Sequence, residues 1–261
     1  MTPKIERLAA ALAEAWRADS TIDLPSEAEA PASRAEAFAV QDRMAELLDE
    51  RAVGWKVGAT VPAVQRLEGH DGPIPGRLFA PRVFDSPATV SATRFRGHKV
   101  VCEFAFRLSR DLPVRGRPYT PEEIADGLVF HPAVELAGSR YRPGTGGRKP
   151  RTHDAIADNG AGGGFVFGPA IPDWRGLSFG AMPIVATIDG RAPIEVYTGD
   201  YRRDPVVIVA ETANDLAARG IGLSAGDYVS TGSLTMPTPI ARGQTLVARF
   251  GDLATIRVTL D

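Results

Sequence analysis

Glu103 and Glu135 each sit in the middle of a strand-like apolar run, where a carboxylate must find a cation, take a tight hydrogen-bond donor or hold a proton. In Lys99-Val-Val-Cys-Glu-Phe-Ala-Phe-Arg-Leu108, period-2 alternation puts Val100, Cys102, Phe104, Phe106 and Leu108 on one face. Val101, Glu103, Ala105 and Arg107 are left on the other. The run His131-Pro-Ala-Val-Glu-Leu-Ala137 repeats the arrangement, with Glu135 between Ala133 and Ala137 and opposed to Val134 and Leu136. Two such carboxylates on adjacent strands can share one divalent ion. Lys56, in Gly54-Trp-Lys-Val-Gly58, is either a snorkelling surface cation or a buried partner for those carboxylates, with glycines on both sides that permit close backbone approach.

Three further segments carry polar groups in suggestive settings. Ala157-Asp-Asn-Gly-Ala-Gly-Gly-Gly164 surrounds Asp158 and Asn159 with four glycines, so that consecutive backbone N–H groups, Gly160 among them, can form an anion nest; the alternative is a glycine-rich turn between strands. The Gly-x-x-x-x-Gly-Lys-Ser/Thr pattern of a phosphate loop is absent. Thr231, Ser233 and Thr235 place hydroxyls along a second glycine-containing strand end. His70 lies in Glu68-Gly-His-Asp-Gly-Pro-Ile-Pro-Gly76, which reads either as a solvated loop or as a lid with Gly and Pro hinges, Glu68 orienting the imidazole. The other histidines, His98, His131 and His153, do not fall at paired metal spacing, and His131 reads as structural.

The elements that must position these groups can be read from texture. Ile5, Leu8, Leu12 and Trp16 mark a helix over 3–18, and Phe38, Gln41, Met44, Leu47 and Leu48 mark another over 33–51. From Val53 the chain turns to short runs of Val, Ile, Phe and Thr at 53–59, 99–108, 131–138, 163–168, 181–188, 194–199, 227–231, 245–250 and 253–260. Helices interrupt at 121–127, with a Thr120/Glu123 capping box, and at 205–219, ended by Gly220. The fold class is therefore α+β, with a helical region over 1–52 and a β domain over 53–261 forming one unit around a long twisted or rolled sheet. Residues 140–151, rich in Gly, Pro and basic side chains, read as a mobile surface loop.

Composition narrows the function classes. A formal net charge of −2 across 261 residues gives no footprint for nucleic acid, and no like-charge block points to a membrane surface. No uninterrupted h-region and no 18-residue apolar span occurs, which reads as a cytoplasmic protein. The single cysteine, Cys102, cannot form an internal disulfide and reads as a buried, inert thiol.

Seven segments, in order, resemble the 2-oxopent-4-enoate (2-keto-4-pentenoate) hydratase and 4-oxalocrotonate decarboxylase family, a branch of the fumarylacetoacetate hydrolase superfamily. They are Ala39-Val-Gln41, Gly54-Trp-Lys-Val-Gly58, Gly76-Arg-Leu-Phe-Ala80, Cys102-Glu-Phe-Ala-Phe106, Pro132-Ala-Val-Glu135 with Ser139-Arg140, Ala157-Asp-Asn159, and Gly226-Asp-Tyr-Val-Ser-Thr-Gly-Ser-Leu234. The resemblance implies a mixed β-roll with N-terminal helices, usually homo-oligomeric, in which Mg²⁺ or Mn²⁺ is chelated by a small-molecule 2-oxo acid. It matches Glu103 and Glu135 to metal carboxylates and Lys56 to the active-site lysine. The full expected site comprises Lys56, Glu68, His70 and Asp158 as catalytic residues and Leu78, Asn159, Gly160, Ser233 and Arg140 around the substrate. Arg77, Arg107, Arg140 and Arg142 are candidates for a distal carboxylate.

Two positions depart from the family pattern. The family's Glu-x-Glu pair of ligands reads Val101-Cys-Glu103 here, and Ile74 replaces the acid of its Pro-Asp-aromatic-Gly segment. Either two carboxylates, waters and a chelating substrate complete the ion's shell, with weaker affinity for free metal, or Lys56 neutralises the carboxylates in its place. The implied activity is hydration of a 2-hydroxydienoic acid. Decarboxylation of a 2-oxo acid, carbon–carbon hydrolysis and a non-catalytic partner subunit are the alternatives.

Overall fold

The computed structural model describes residues 2–95 and 97–261. Helices α1 (Pro3–Arg17) and α2 (Arg34–Leu48), capped by the Thr2 and Ser33 side chains, open the chain with strand β1 (Ile22–Asp23) between them. Strand β2 (Ala52–Gly58), helix α3 (Pro62–Glu68) and strands β3 (Ile74–Phe79), β4 (Val83–Asp85) and β5 (Ala88–Val90) follow. The long strands β6 (Lys99–Leu108) and β7 (Leu128–Ala137) flank helix α4 (Pro121–Ala125), whose Thr120/Glu123 capping box is formed. Next come β8 (Tyr141–Arg142), α5 (Thr152–Ala157), β9 (Gly162–Phe167), β10 (Ile184–Ile188) and α6 (Pro205–Ala218). Strands β11 (Tyr228–Ser233), β12 (Thr238–Pro239), β13 (Thr245–Phe250) and β14 (Ala254–Leu260) complete the α+β fold.

One sheet of eight strands runs β3-β2-β11-β6-β7-β9-β4, with β12 added along β6, and a four-stranded sheet runs β10-β13-β14-β5. The two pack face to face. Val100, Cys102, Phe104, Phe106 and Leu108 of β6 fill the core between them, together with Phe130, Val134, Phe250, Ile256 and Val258. The opposite face of the large sheet curls inward until β3 lies beside β9, enclosing Leu78, Ala105, Ala133, Phe165 and Phe167. Antiparallel pairing of β6 with β7 sets Val101 opposite Glu135 and Glu103 opposite Ala133, so all of these side chains face the inside of the roll.

Helices α1 and α2 pack on each other and, through Phe38, Met44 and Leu12, on Ile74, Phe79 and Ile156 of the roll's flank. The expected strand over 194–199 does not form, because the chain there contributes only an isolated bridge from Val196 to Thr235. The segment 140–151 is pinned rather than loose. Tyr141–Arg142 pairs with Ile22–Asp23, and Arg148 binds Asp154 and the Pro25 carbonyl. Among the described residues no helix is long and apolar enough to cross a membrane. Cys102 is buried, which pushes its thiol up to about 12.

Candidate active site

Lys56, Glu103 and Glu135 come together inside the roll, although they lie on three different strands. The Lys56 ammonium is 3.2 Å from Glu135 Oε1 and donates a 2.6 Å hydrogen bond to the Gly160 carbonyl. All three side chains are almost wholly buried. Burial first, and then the charge of Glu135, push the Glu103 carboxyl well above the usual carboxylate range, while Lys56 and the Ser230 hydroxyl oppose the shift. Lys56 is thus a buried cation facing carboxylates. Glu135 Oε1 accepts no hydrogen bond, the ammonium being close enough to pair its charge but off the required angle.

Backbone irregularities supply the remaining polar contacts. A register shift in β11 between Ser230 and Ser233 turns the Gly232 N–H toward Glu103 Oε2 at 3.3 Å and makes Ser233 the cross-strand partner of Glu103. Gly232 has φ +97°, and a Cβ there would lie 2.5 Å from Thr60 Oγ1, so a side chain is excluded. On the other flank, Asn159, Gly160 and Ala161 are left-handed in succession, with φ of 51°, 67° and 52°, and this turn delivers the Gly160 carbonyl to Lys56. Gly162 borders the same spot, where a Cβ would stand 3.0 Å from Lys56 Cε and 3.5 Å from Glu135 Oε1. The Gly232 donor and the Gly162 cradle were not singled out from sequence, since only the bulge and the closing of the roll bring them here.

The other expected site residues are placed differently. Asn159 spends its amide on one backbone unit, accepting from Arg77 N at 2.7 Å and donating to Arg77 O at 3.0 Å. Asp158 is buried and bonded to Ser139 Oγ at 2.6 Å, Arg140 N at 2.9 Å and Arg140 Nε at 2.5 Å. Arg140 uses its other nitrogens on the Gly162 and Asp158 carbonyls. This pair braces the 158–162 turn from behind, and its hydrogen-bonding groups are taken up there. Leu78 is buried within the roll. Of the remaining candidate arginines, Arg77 binds Asp42 and Gln41, Arg107 binds the Gly226 carbonyl, and Arg142 binds Asp23.

Glu68 ends α3 and stands near Lys56 and Glu135; burial, its largest influence, raises its carboxyl above the ordinary value, and Lys56 draws it back. His70 follows on the same loop, 3.8 Å from Glu68 and 3.4 Å from Thr152 Oγ1. Burial first and then Lys56 hold its pKa below the ordinary imidazole value, which favours the neutral ring. Ile74 is buried against the helical core, and the strand that replaces the family's acidic segment directs no carboxylate inward.

Carboxylate oxygens are the donors a hard divalent cation takes, and two such groups are present here. Two buried carboxylates face one another, and one oxygen of Glu135 is without a hydrogen bond, while no group of three His, Cys, Asp or Glu side chains that could hold an ion occurs among the described residues. Glu103 and Glu135 are the residues that would hold it.

No family model matches the chain. The sequence is 31% identical over 227 residues to the TodF product hydratase of Pseudomonas putida, covering 84% of this chain and 81% of that one. The chain belongs to the 2-keto-4-pentenoate hydratase and 4-oxalocrotonate decarboxylase family. A second member of the family, the 2-keto-4-pentenoate hydratase of Paraburkholderia phymatum, is 29% identical over 259 residues, covering 98% of this chain and 97% of its own. The family's structural frame is equally close. The 4-oxalocrotonate decarboxylase from Pseudomonas putida G7, complexed with magnesium and adipate, superposes with a TM-score of 0.87 at 23% identity, over 100% of this chain and 99% of that one. The fold is accordingly a fumarylacetoacetate hydrolase-like mixed β-roll with N-terminal helices.

Proposed function

We propose that the chain is a hydro-lyase that hydrates a small 2-hydroxydienoic acid by way of its 2-oxo tautomer. The observation that carries the reading is the convergence of Glu103, Glu135 and Lys56 in one buried recess, in a chain whose relatives are named as hydratases of 2-oxo and 2-hydroxydienoic acids. Bound between Glu103 and Glu135, Mg²⁺ or Mn²⁺ would act as a Lewis acid toward negative charge on the C2 oxygen.

The chain's own residues do the rest. Lys56, held by Gly160 and Glu135, presents a proton source beside the site and assists the transfer that converts dienol to enone. Neutral His70, beside Glu68 and Thr152, accepts one proton from the water that adds at the conjugated position; the water's oxygen bonds to carbon and keeps its second proton as the new hydroxyl, and the proton held by His70 is returned to the neighbouring carbon. Leu78 and Ser233 border the substrate, while Asn159, Asp158 and Arg140 hold the turn that positions Lys56. A homo-oligomeric setting is part of the same proposal and rests on the family resemblance.

Decarboxylation is the second reading, favoured by the buried Ile74 in the segment where the family places an acid. Losing CO₂ needs the same electron sink but no activated water. The deciding experiment follows a 2-hydroxydienoate by loss of its ultraviolet absorbance alongside CO₂ release. Absorbance loss with a hydroxylated product and no CO₂ is the expected result. Stoichiometric CO₂ from a 2-oxo-enedioate, without hydration, replaces hydratase by decarboxylase.

A pH profile tests the base. Because burial keeps His70 neutral, the acid limb of kcat/KM lies below pH 6.5, activity being lost only as pH falls through the lowered pKa. His70→Gln removes that limb and slows turnover about 10²-fold, the lower end for general acid–base catalysis. An unchanged profile takes His70 out of the chemistry.

A further inference from the structure

We infer that the divalent cation and the 2-oxo acid enter this site as a mutually dependent pair, with Val101 as the residue that imposes the dependence; the inference rests on the proposed reading of the site. Strand register is the first reason. Val101 is the residue directly opposite Glu135, on the inner face of the roll and 1% exposed. Directly opposed side chains on an antiparallel pair have Cβ atoms about 4.5–5.5 Å apart, so position 101 is the neighbour best placed to share a ligand with Glu135. It carries an isopropyl group. The space beside the carboxylate is thereby closed to water on that side and supplies no oxygen.

The donor count is the second reason. Glu103 and Glu135 converge, Glu135 Oε1 is buried and lacks a hydrogen bond, and no third acid, histidine or cysteine joins them into an ion-holding group among the described residues. Glu68, the next carboxylate, arrives from the end of α3 and lies 3.8 Å from His70 Nε2. Mg²⁺ takes six oxygens, and ion-bound waters fit poorly against a buried valine.

Charge is the third. Lys56 already faces Glu135 at 3.2 Å within a recess where Lys56, Glu103 and Glu135 are each no more than 4% exposed. A dication added to one ammonium and two carboxylates leaves one positive charge uncompensated in a desolvated place, which opposes binding. A 2-oxo acid brings both missing elements at once: a carboxylate charge and two adjacent oxygens. By linkage, whatever factor the acid contributes to cation affinity, the cation contributes to acid affinity.

Calorimetry on the full chain tests this with Mg²⁺ alone, oxalate alone, and each titrated in the presence of the other, oxalate serving as a non-reacting mimic of the 2-oxo carboxylate. Mg²⁺ is expected to bind at least about 50-fold more tightly with oxalate present, within the range of strong site–site coupling, and oxalate to gain the same factor from Mg²⁺. Val101→Glu is expected to tighten Mg²⁺ alone at least about tenfold and to shrink the coupling, since the new carboxylate supplies the charge and oxygen the substrate otherwise brings. Equal Mg²⁺ affinity with and without oxalate overturns the inference on the wild-type chain, whether or not the variant folds. Absence of Mg²⁺ binding even with oxalate also overturns it. Val101→Gln, an oxygen donor without charge, is expected to fall between wild type and Val101→Glu; a coupling unchanged in both variants overturns the role of Val101. The dienol assay keeps the two claims apart. Turnover without coupling removes this inference and leaves the hydratase reading, whereas coupling without turnover does the reverse.

Discussion

Glu135→Gln lowers kcat/KM toward a 2-hydroxydienoate by about 10²–10³-fold, the effect expected when one preorganised electrostatic element is removed from a buried site. The amide keeps the shape, so packing against Gly162 and Val101 is preserved. What it removes is the charge that partners Lys56 and, on the proposed reading, the divalent ion. Glu103 compensates: burial first and then the charge of Glu135 hold its carboxyl well above the carboxylate range, so losing that charge favours its ionisation beside Lys56. The thermal midpoint is therefore expected to move by only a few degrees while turnover collapses. Steady-state kinetics and melting curves on the same preparation check the two halves. Activity within tenfold of wild type would remove Glu135 from the chemistry and with it the central claim about this site.

How much of this arrangement was legible in the sequence depends on the range over which each feature is determined. The inward faces of β6 and β7 follow from period-2 alternation, a local property, so Glu103, Glu135 and the contrary face of Cys102 and Phe104 could be assigned from residues alone. Helices α1, α2 and α6 were equally plain, through their apolar stripes and, for α6, the Gly220 stop. The strand at 74–79 was missed because Ile74-Pro-Gly76 reads as a turn; it is the edge of the roll, where a proline without an N–H can be accommodated. Residues 194–199 have the composition of a strand, yet among the described residues the only strand-type pairing they form is the bridge at Val196 and one Ile194 N–H bond to the Ala186 carbonyl. Polar loop residues were the hardest to read. Composition offers Asp158, Asn159 and Arg140 as free functional groups, and only the contacts made across the chain, with Arg77, Ser139 and Gly162, show how their hydrogen bonds are used.

Arg140→Met accordingly destabilises the fold by about 3–5 kcal/mol, the usual cost of removing one partner from a buried ion pair. Arg140 is 5% exposed and Asp158 fully buried, and the guanidinium binds one carboxylate oxygen and two main-chain carbonyls at once. Without it, Asp158 retains Ser139 Oγ and the residue-140 N–H, while the carbonyls of Asp158 and Gly162 lose their donor in a dry place. The pH dependence has a definite sign. Burial already raises Asp158 above the ordinary carboxylate value despite Arg140, and removing the cation raises it further. A carboxyl whose folded-state pKa exceeds its unfolded one binds more protons when folded, so the penalty is greatest above the folded-state pKa and shrinks as pH falls toward the unfolded value. Urea denaturation at pH 5 and pH 8 reads this out, with the larger loss at pH 8. Arg140→Met combined with Asp158→Asn recovers part of the loss, because no unpaired charge remains. A variant that melts like wild type but binds a dicarboxylate substrate far more weakly would instead place Arg140 on the substrate's distal carboxylate.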